Sequence, residues 1–222
     1  MKTFPLVFLL VLVPVVLKAQ RVQVGFNAGP MVGHRFLRTD SEMFRKAFSD
    51  ERAIVRYGFG ADAALRVGAN WQIGAGLLYA PRGFGQRIRV TDENGAPLPK
   101  DQIIRYHFNY LDVPLWAKYR FGVRERKSFY ALAGFNNSFF LRDRIVVRNT
   151  GAPSRGRHTT ALRRYLSGVT IGLGMRRVVS EHLLVEAGPQ TTLQLASVFD
   201  GSFPLKRFLY TSGVNFRAAY DL

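Results

Sequence analysis

Cysteine is absent from the 222 residues of the chain. Its absence excludes disulfides, thiolate metal ligands, cysteine nucleophiles and an acylated lipobox cysteine. Histidine is scarce. The four, His34, His107, His158 and His182, have no second ligand at helix or strand spacing, so no metal site is legible. Acids are few: 15 Asp and Glu stand against 32 Lys and Arg, a formal charge of +17. So basic a chain is drawn to anionic surfaces. Long apolar runs occur once, in FPLVFLLVLVPVVL at residues 4–17, behind Lys2 and closed by Lys18 and Ala19. That pattern predicts a secretory signal peptide over 1–19, with a mature domain over 20–222. No other stretch approaches the ~18 apolar residues that a spanning helix needs. An exported chain turns the positive charge away from nucleic acid and toward phospholipid or lipopolysaccharide phosphates. No phosphate loop, dinucleotide fingerprint or nucleophile elbow is present, and no cofactor is expected.

What the chain has in quantity is alternation. In YLDVPLWAKYRFG, residues 110–122, Leu111, Val113, Leu115, Ala117, Tyr119 and Phe121 fall at every second position. Asp112, Pro114, Trp116, Lys118 and Arg120 lie between them, which is a strand by its period of two. Similar segments predict eight strands, at about 22–33, 54–68, 71–90, 104–121, 129–143, 164–178, 183–197 and 207–221. The connections alternate long and short. Residues 34–53 and 144–163 make long ones, while 69–70 and 179–182 are tight. The expected fold is therefore all-β, an eight-stranded antiparallel up-and-down transmembrane β-barrel.

One face of each strand is bulky and apolar, the other glycine with scattered charge. Val169, Ile171, Leu173 and Met175 oppose Gly168, Thr170, Gly172, Gly174 and Arg176. A soluble ligand-carrying barrel would turn the bulky face inward. Volume opposes that reading, because an eight-stranded interior has room for little more than its own side chains. The bulky face is expected to meet lipid and the glycine-and-charge face to fill the lumen. Pro114 removes a ladder donor and is expected to mark a bulge or an irregular pairing.

The segment YLDVPLWAKY resembles a strand motif of the PorT-like outer-membrane β-barrel family of Bacteroidota, and GLLYAPRGFG resembles the strand before it in that family. The resemblance implies outer-membrane residence and an eight-stranded barrel. It implies no activity, but one branch of the family is tied to type IX secretion, so a periplasmic or secretion-system protein partner is implied too.

Ten residues are expected to form a lumenal charge network: Arg56, Asp62, Arg66, Arg82, Asp112, Lys118, Arg142, Arg176, Glu186 and Arg217. Buried charges need partners, and three acids among these bases supply them. A second basic set, Arg144, Arg148, Arg155, Arg157, Arg163 and Arg164, is expected in an outer loop against lipopolysaccharide phosphates. SEMFRKAF, residues 41–48, reads as a short amphipathic helix. The expected protein is a non-enzymatic monomer with a structural or interaction role. The competing readings are a narrow pore and a lipid A-modifying enzyme built on His107 near Asp112, or on His34.

Overall fold

The computed structural model describes residues 22–38, 51–88, 102–124, 126–148, 154–156, 162–199 and 206–222. The signal segment, the 41–48 stretch and Arg157 lie outside them. Nine strands follow in order: β1 (Val22–Arg38), β2 (Glu51–Val67), β3 (Trp71–Ile88), β4 (Gln102–Arg124), β5 (Lys127–Arg148), β6 (Ser154–Gly156), β7 (Tyr165–Val178), β8 (Leu183–Gln194) and β9 (Lys206–Asp221). Eight of them form a closed antiparallel ring, in which β9 returns to pair with β1 from Gln23↔Asp221 to Arg38↔Lys206. The ninth, β6, is a three-residue strand paired with β5 outside the ring through Ile145↔Gly156.

Several strands outrun the sequence expectation. β4 and β5 span 23 and 22 residues, because polar residues that resemble loop simply pair with one another: His107 with Arg144 and Ile103 with Arg148. Two irregularities shape the upper half of the barrel. The β2–β3 register shifts between Ala53 and Phe59. The β4–β5 register shifts where Asn109 pairs with Arg142 but Tyr110 pairs with Phe140, leaving Leu141 as an extra residue. Each shift reverses which side of the wall a later residue faces. Pro114, by contrast, makes the irregular pairing expected of it and no bulge. The β3–β4 register is the same on either side of it, Ala75↔Leu115 and Leu78↔Asp112, and the ladder is merely interrupted.

The apolar face points out. Ile171, Leu173, Leu77 and Phe26 are all more than half exposed, while Gln23, Gln72, Lys118 and Arg82 are buried inside the ring. Outward aromatic pairs form two belts. The lower one, at the short-turn end, holds Trp71–Tyr119, Phe121–Phe129 and His182–Tyr220. The upper one holds Phe59–Tyr79, Phe139–Tyr165 and His34–Tyr210. Ten residues separate Phe129 from Phe139 along β5. At ~3.3 Å of rise and ~40° of tilt they give about 25 Å of height, the thickness of the apolar band of a membrane barrel.

A closed ring in which every strand pairs with both neighbours resists SDS until heated. In an unboiled gel the protein is expected to run at a different position from the boiled chain. A single unshifted position would mean that no closed barrel forms.

Candidate functional site: a plugged lumen and a basic outer wall

The interior is stacked in layers. Nearest the short turns, Gln72 Nε2 donates to Gln23 Oε1 at 3.1 Å, and Arg66 reaches Asp221 at 3.4 Å. Arg176 is buried in register with Glu186.

Above lies the main charge cluster. Arg217 from β9 donates to Asp62 of β2 through Nε at 3.0 and 2.9 Å and through Nη2 at 2.6 Å. Its Nη1 reaches Glu186 of β8 at 3.4 Å, and Lys118 of β4 closes an ion pair on the same carboxylate. Asn27 of β1 donates to Asp62 at 2.5 Å. The Lys118 ammonium also lies 4.8 Å from the Trp116 ring centre and 4.6 Å from that of Tyr130, within cation–π range.

The inward glycines are the counterpart of these large side chains. A Cβ at Gly25 would stand 2.7 Å from Arg217 Nε, and one at Gly74 would enter the Trp116 indole, 2.6 Å from Cε2. A narrow ring holds an arginine and an indole only where its wall gives up side chains.

A third layer joins Arg82 to Asp112 at 2.5 Å, with Asn136 donating to Asp112 at 2.7 Å and Arg82 to Ser138 at 3.2 Å. Above it the lumen changes character. Phe84, Phe108, Tyr110, Leu166, Val198 and Leu209 form a buried apolar cluster across the ring. The expectation of a glycine-and-charge interior therefore holds only below it. Arg35 covers the cluster, its guanidinium 3.9 Å from the Phe84 ring centre and paired with Glu51. Sequence reasoning missed Arg35, Glu51 and Arg207, the last buried with its guanidinium 5.9 Å from the same ring centre, because they fall in segments read as loops or strand ends. Their signal was available, since Arg35 continues the inward parity of Gln23, Asn27 and Met31.

Two of the ten expected lumenal residues are not in the lumen. Arg142 pairs with Asn109 above the β5 bulge and is exposed on the outer wall. Arg56 lies beside the β2 shift. Its guanidinium donates to Nδ1 of His107 at 2.5 Å and to Oδ1 of Asn109 at 3.2 Å, and the inward side of β4 there belongs to Phe108 and Tyr110. The other eight, Asp62, Arg66, Arg82, Asp112, Lys118, Arg176, Glu186 and Arg217, face inward. The expected basic loop is partly strand: Arg144 and Arg148 belong to β5. The Arg163 amide donates to the Val198 carbonyl, and the Arg164 carbonyl accepts from Phe140, both at 2.8 Å. Arg155 is in β6, and its side chain lies outside the described residues.

Among the described residues, the hydrogen bonds seen at His107 and His34 run to an arginine and to backbone, not to a carboxylate or a serine. His107 faces outward and accepts from Arg56, on the opposite side of β4 from Asp112. His34 Nδ1 accepts from the Arg35 amide at 2.7 Å and its ring stacks on Tyr210. Among the described residues no three of His, Asp and Glu converge on a metal-sized space.

A closed antiparallel ring with an apolar outer band, two aromatic belts and a charged interior defines a transmembrane β-barrel of the outer-membrane class. The family model described as "Outer membrane protein beta-barrel domain" matches residues 15–202, and the chain belongs to that family. It resides in the outer membrane. No curated protein matches the sequence. Among solved structures, Neisserial surface protein A is similar at 10% identity with a TM-score of 0.51, over 92% of this chain and 100% of that one. The outer membrane protease OmpT from Escherichia coli gives 10% identity and a TM-score of 0.45, over 91% and 97%. OprG from Pseudomonas aeruginosa gives 13% identity and 0.41, over 91% and 96%. At such identities the likeness concerns the fold.

Proposed function

We propose that this barrel does not conduct and does no chemistry, and serves instead as a structural and interaction module that presents its ends to partners. The observation that carries the reading is the filled lumen. Three layers of paired charge and one of aromatic and aliphatic side chains span the ring, and the cavity between the two central charge layers, bordered by Asp62, Arg82, Lys118 and Glu186, has a volume of about 100 Å³. An ion would have to break the Lys118–Glu186–Arg217–Asp62 pairs and then part the apolar cluster, exposing buried charges along the way. The placement of His107 and Asp112 on opposite sides of one strand supports a non-enzymatic reading.

The PorT-like sequence motifs at 76–85 and 110–119 support a narrower assignment, to the branch of the family tied to type IX secretion. A periplasmic or secretion-machinery protein at the barrel rim is the partner this assignment implies. Reconstituted in planar bilayers, heat-shifted, folded protein is expected to give no discrete current steps. Reproducible steps that survive repurification would end the proposal. Crosslinking in intact cells, followed by mass spectrometry, tests the secretion link, and recovery of only unrelated membrane proteins would remove it.

A further inference from the structure

Above the upper aromatic belt, the outer wall of β2 to β5 carries Arg52, Arg56, Arg105, Arg142 and Arg144. Arg56 is placed there by its hydrogen bonds to His107 and Asn109, and the side of the wall of the others follows from register. Arg52 and Arg105 both pair with the outward Gly85, Arg142 with Asn109 and Arg144 with His107. Among the described residues no carboxylate shares this face. Glu51 turns inward to Arg35, and Asp143 pairs with the inward Phe108. Arg56, Arg142 and Arg144 are close enough for their charges to interact.

The geometry points to a binding site for the phosphate groups of an outer-leaflet glycolipid, centred on Arg142 and Arg144 with Arg56 behind them. Four observations carry it. First, the site lies three to five residues above Phe139 of the upper belt, which at ~3.3 Å per residue and ~40° of tilt is about 8–13 Å, the headgroup zone. Second, it faces sideways into the leaflet rather than up into solvent, so a lipid headgroup is what lies against it. Third, guanidinium pairs suit phosphate oxygens, which they bind in a bidentate fashion. Fourth, Arg56 is held flat against the wall by His107 and Asn109. Because arginine only donates, His107 Nδ1 accepts and the imidazole keeps its proton on Nε2. The cation is thus fixed before any lipid arrives, which lowers the ordering cost of binding.

The site stands whether or not the barrel conducts. Full-length barrel in nanodiscs is titrated with bisphosphorylated lipid A and with the same lipid stripped of phosphate, and binding is read by native mass spectrometry. Wild type is expected to retain the phosphorylated form about tenfold or more better than the stripped form. R142Q/R144Q is expected to lose that preference. K127Q/R177Q, which removes the same charge at the short-turn end, is expected to keep it, and heat shift on a gel shows that both variants fold. Equal binding of the two lipids to wild type, or equal loss in the two double variants, overturns the site. Displacement of the lipid by millimolar inorganic phosphate would assign the arginines to the free ion and overturn the lipid assignment.

Discussion

Arg217→Met is expected to cost about 3–5 kcal/mol of stability, the usual penalty for breaking a buried ion pair from one side. The size follows from what is left behind. Asp62 keeps only the Asn27 amide, and Glu186 keeps Lys118 but loses its second cation. Methionine fills much of the same volume, so the loss reports charge rather than a cavity. Removing the orphaned carboxylate should then recover part of it. Asp62→Asn combined with Arg217→Met is expected to be more stable than Arg217→Met alone, a non-additive result that a double-mutant cycle reads directly. The measurement is urea unfolding of barrels folded into lipid vesicles, comparing midpoints at unchanged slope. A loss below about 1 kcal/mol would show that water reaches the cluster and screens it.

Ile171→Arg is expected to destabilise the barrel by about 2–4 kcal/mol, although Ile171 is 63% exposed. In a soluble protein so exposed a position would tolerate arginine almost without cost. Here the residue lies midway between the two aromatic belts, where the neighbouring medium is hydrocarbon and cannot solvate a guanidinium. Depth is the control. Val179, at the tight turn beyond the lower belt, should accept arginine at a cost of about 0–1 kcal/mol. Equal effects at the two positions would mean that the apolar face does not lie in a membrane.

The period of two made the ring legible, because side chains that alternate in sequence also alternate across the wall. Leu111 to Phe121 fell outward and Asp112, Trp116 and Lys118 inward as that period requires. What the period could not carry was its own interruption. Arg56 and Arg142 keep the parity of lumenal residues when counted along their strands, yet the register shifts beside them turn their guanidinium groups outward. A bulge is decided by how two partners align, and a single strand read alone does not contain it. The apolar cluster was hidden for a related reason. Phe84, Phe108 and Tyr110 continue the inward parity of Arg82 and Asp112, but a phenylalanine carries no mark of which face it serves. Only the ring shows that six such residues meet across one lumen.

The pairing of β1 with β9 also sets an order of events in time. Val22–Arg38 is the first strand of the ring and Lys206–Asp221 the last, so the earliest strand keeps one row of amides and carbonyls open until the end of the chain arrives. In that interval the growing sheet has two free edges, either of which can pair with a stranger. The contact between Arg217 and Asp62 cannot form before closure, since β9 reaches the far side of β1 from β2 only then. Closure therefore removes both aggregation-prone edges and completes the charge cluster in a single step, and a chain truncated before β9 would retain the hazard without the lock.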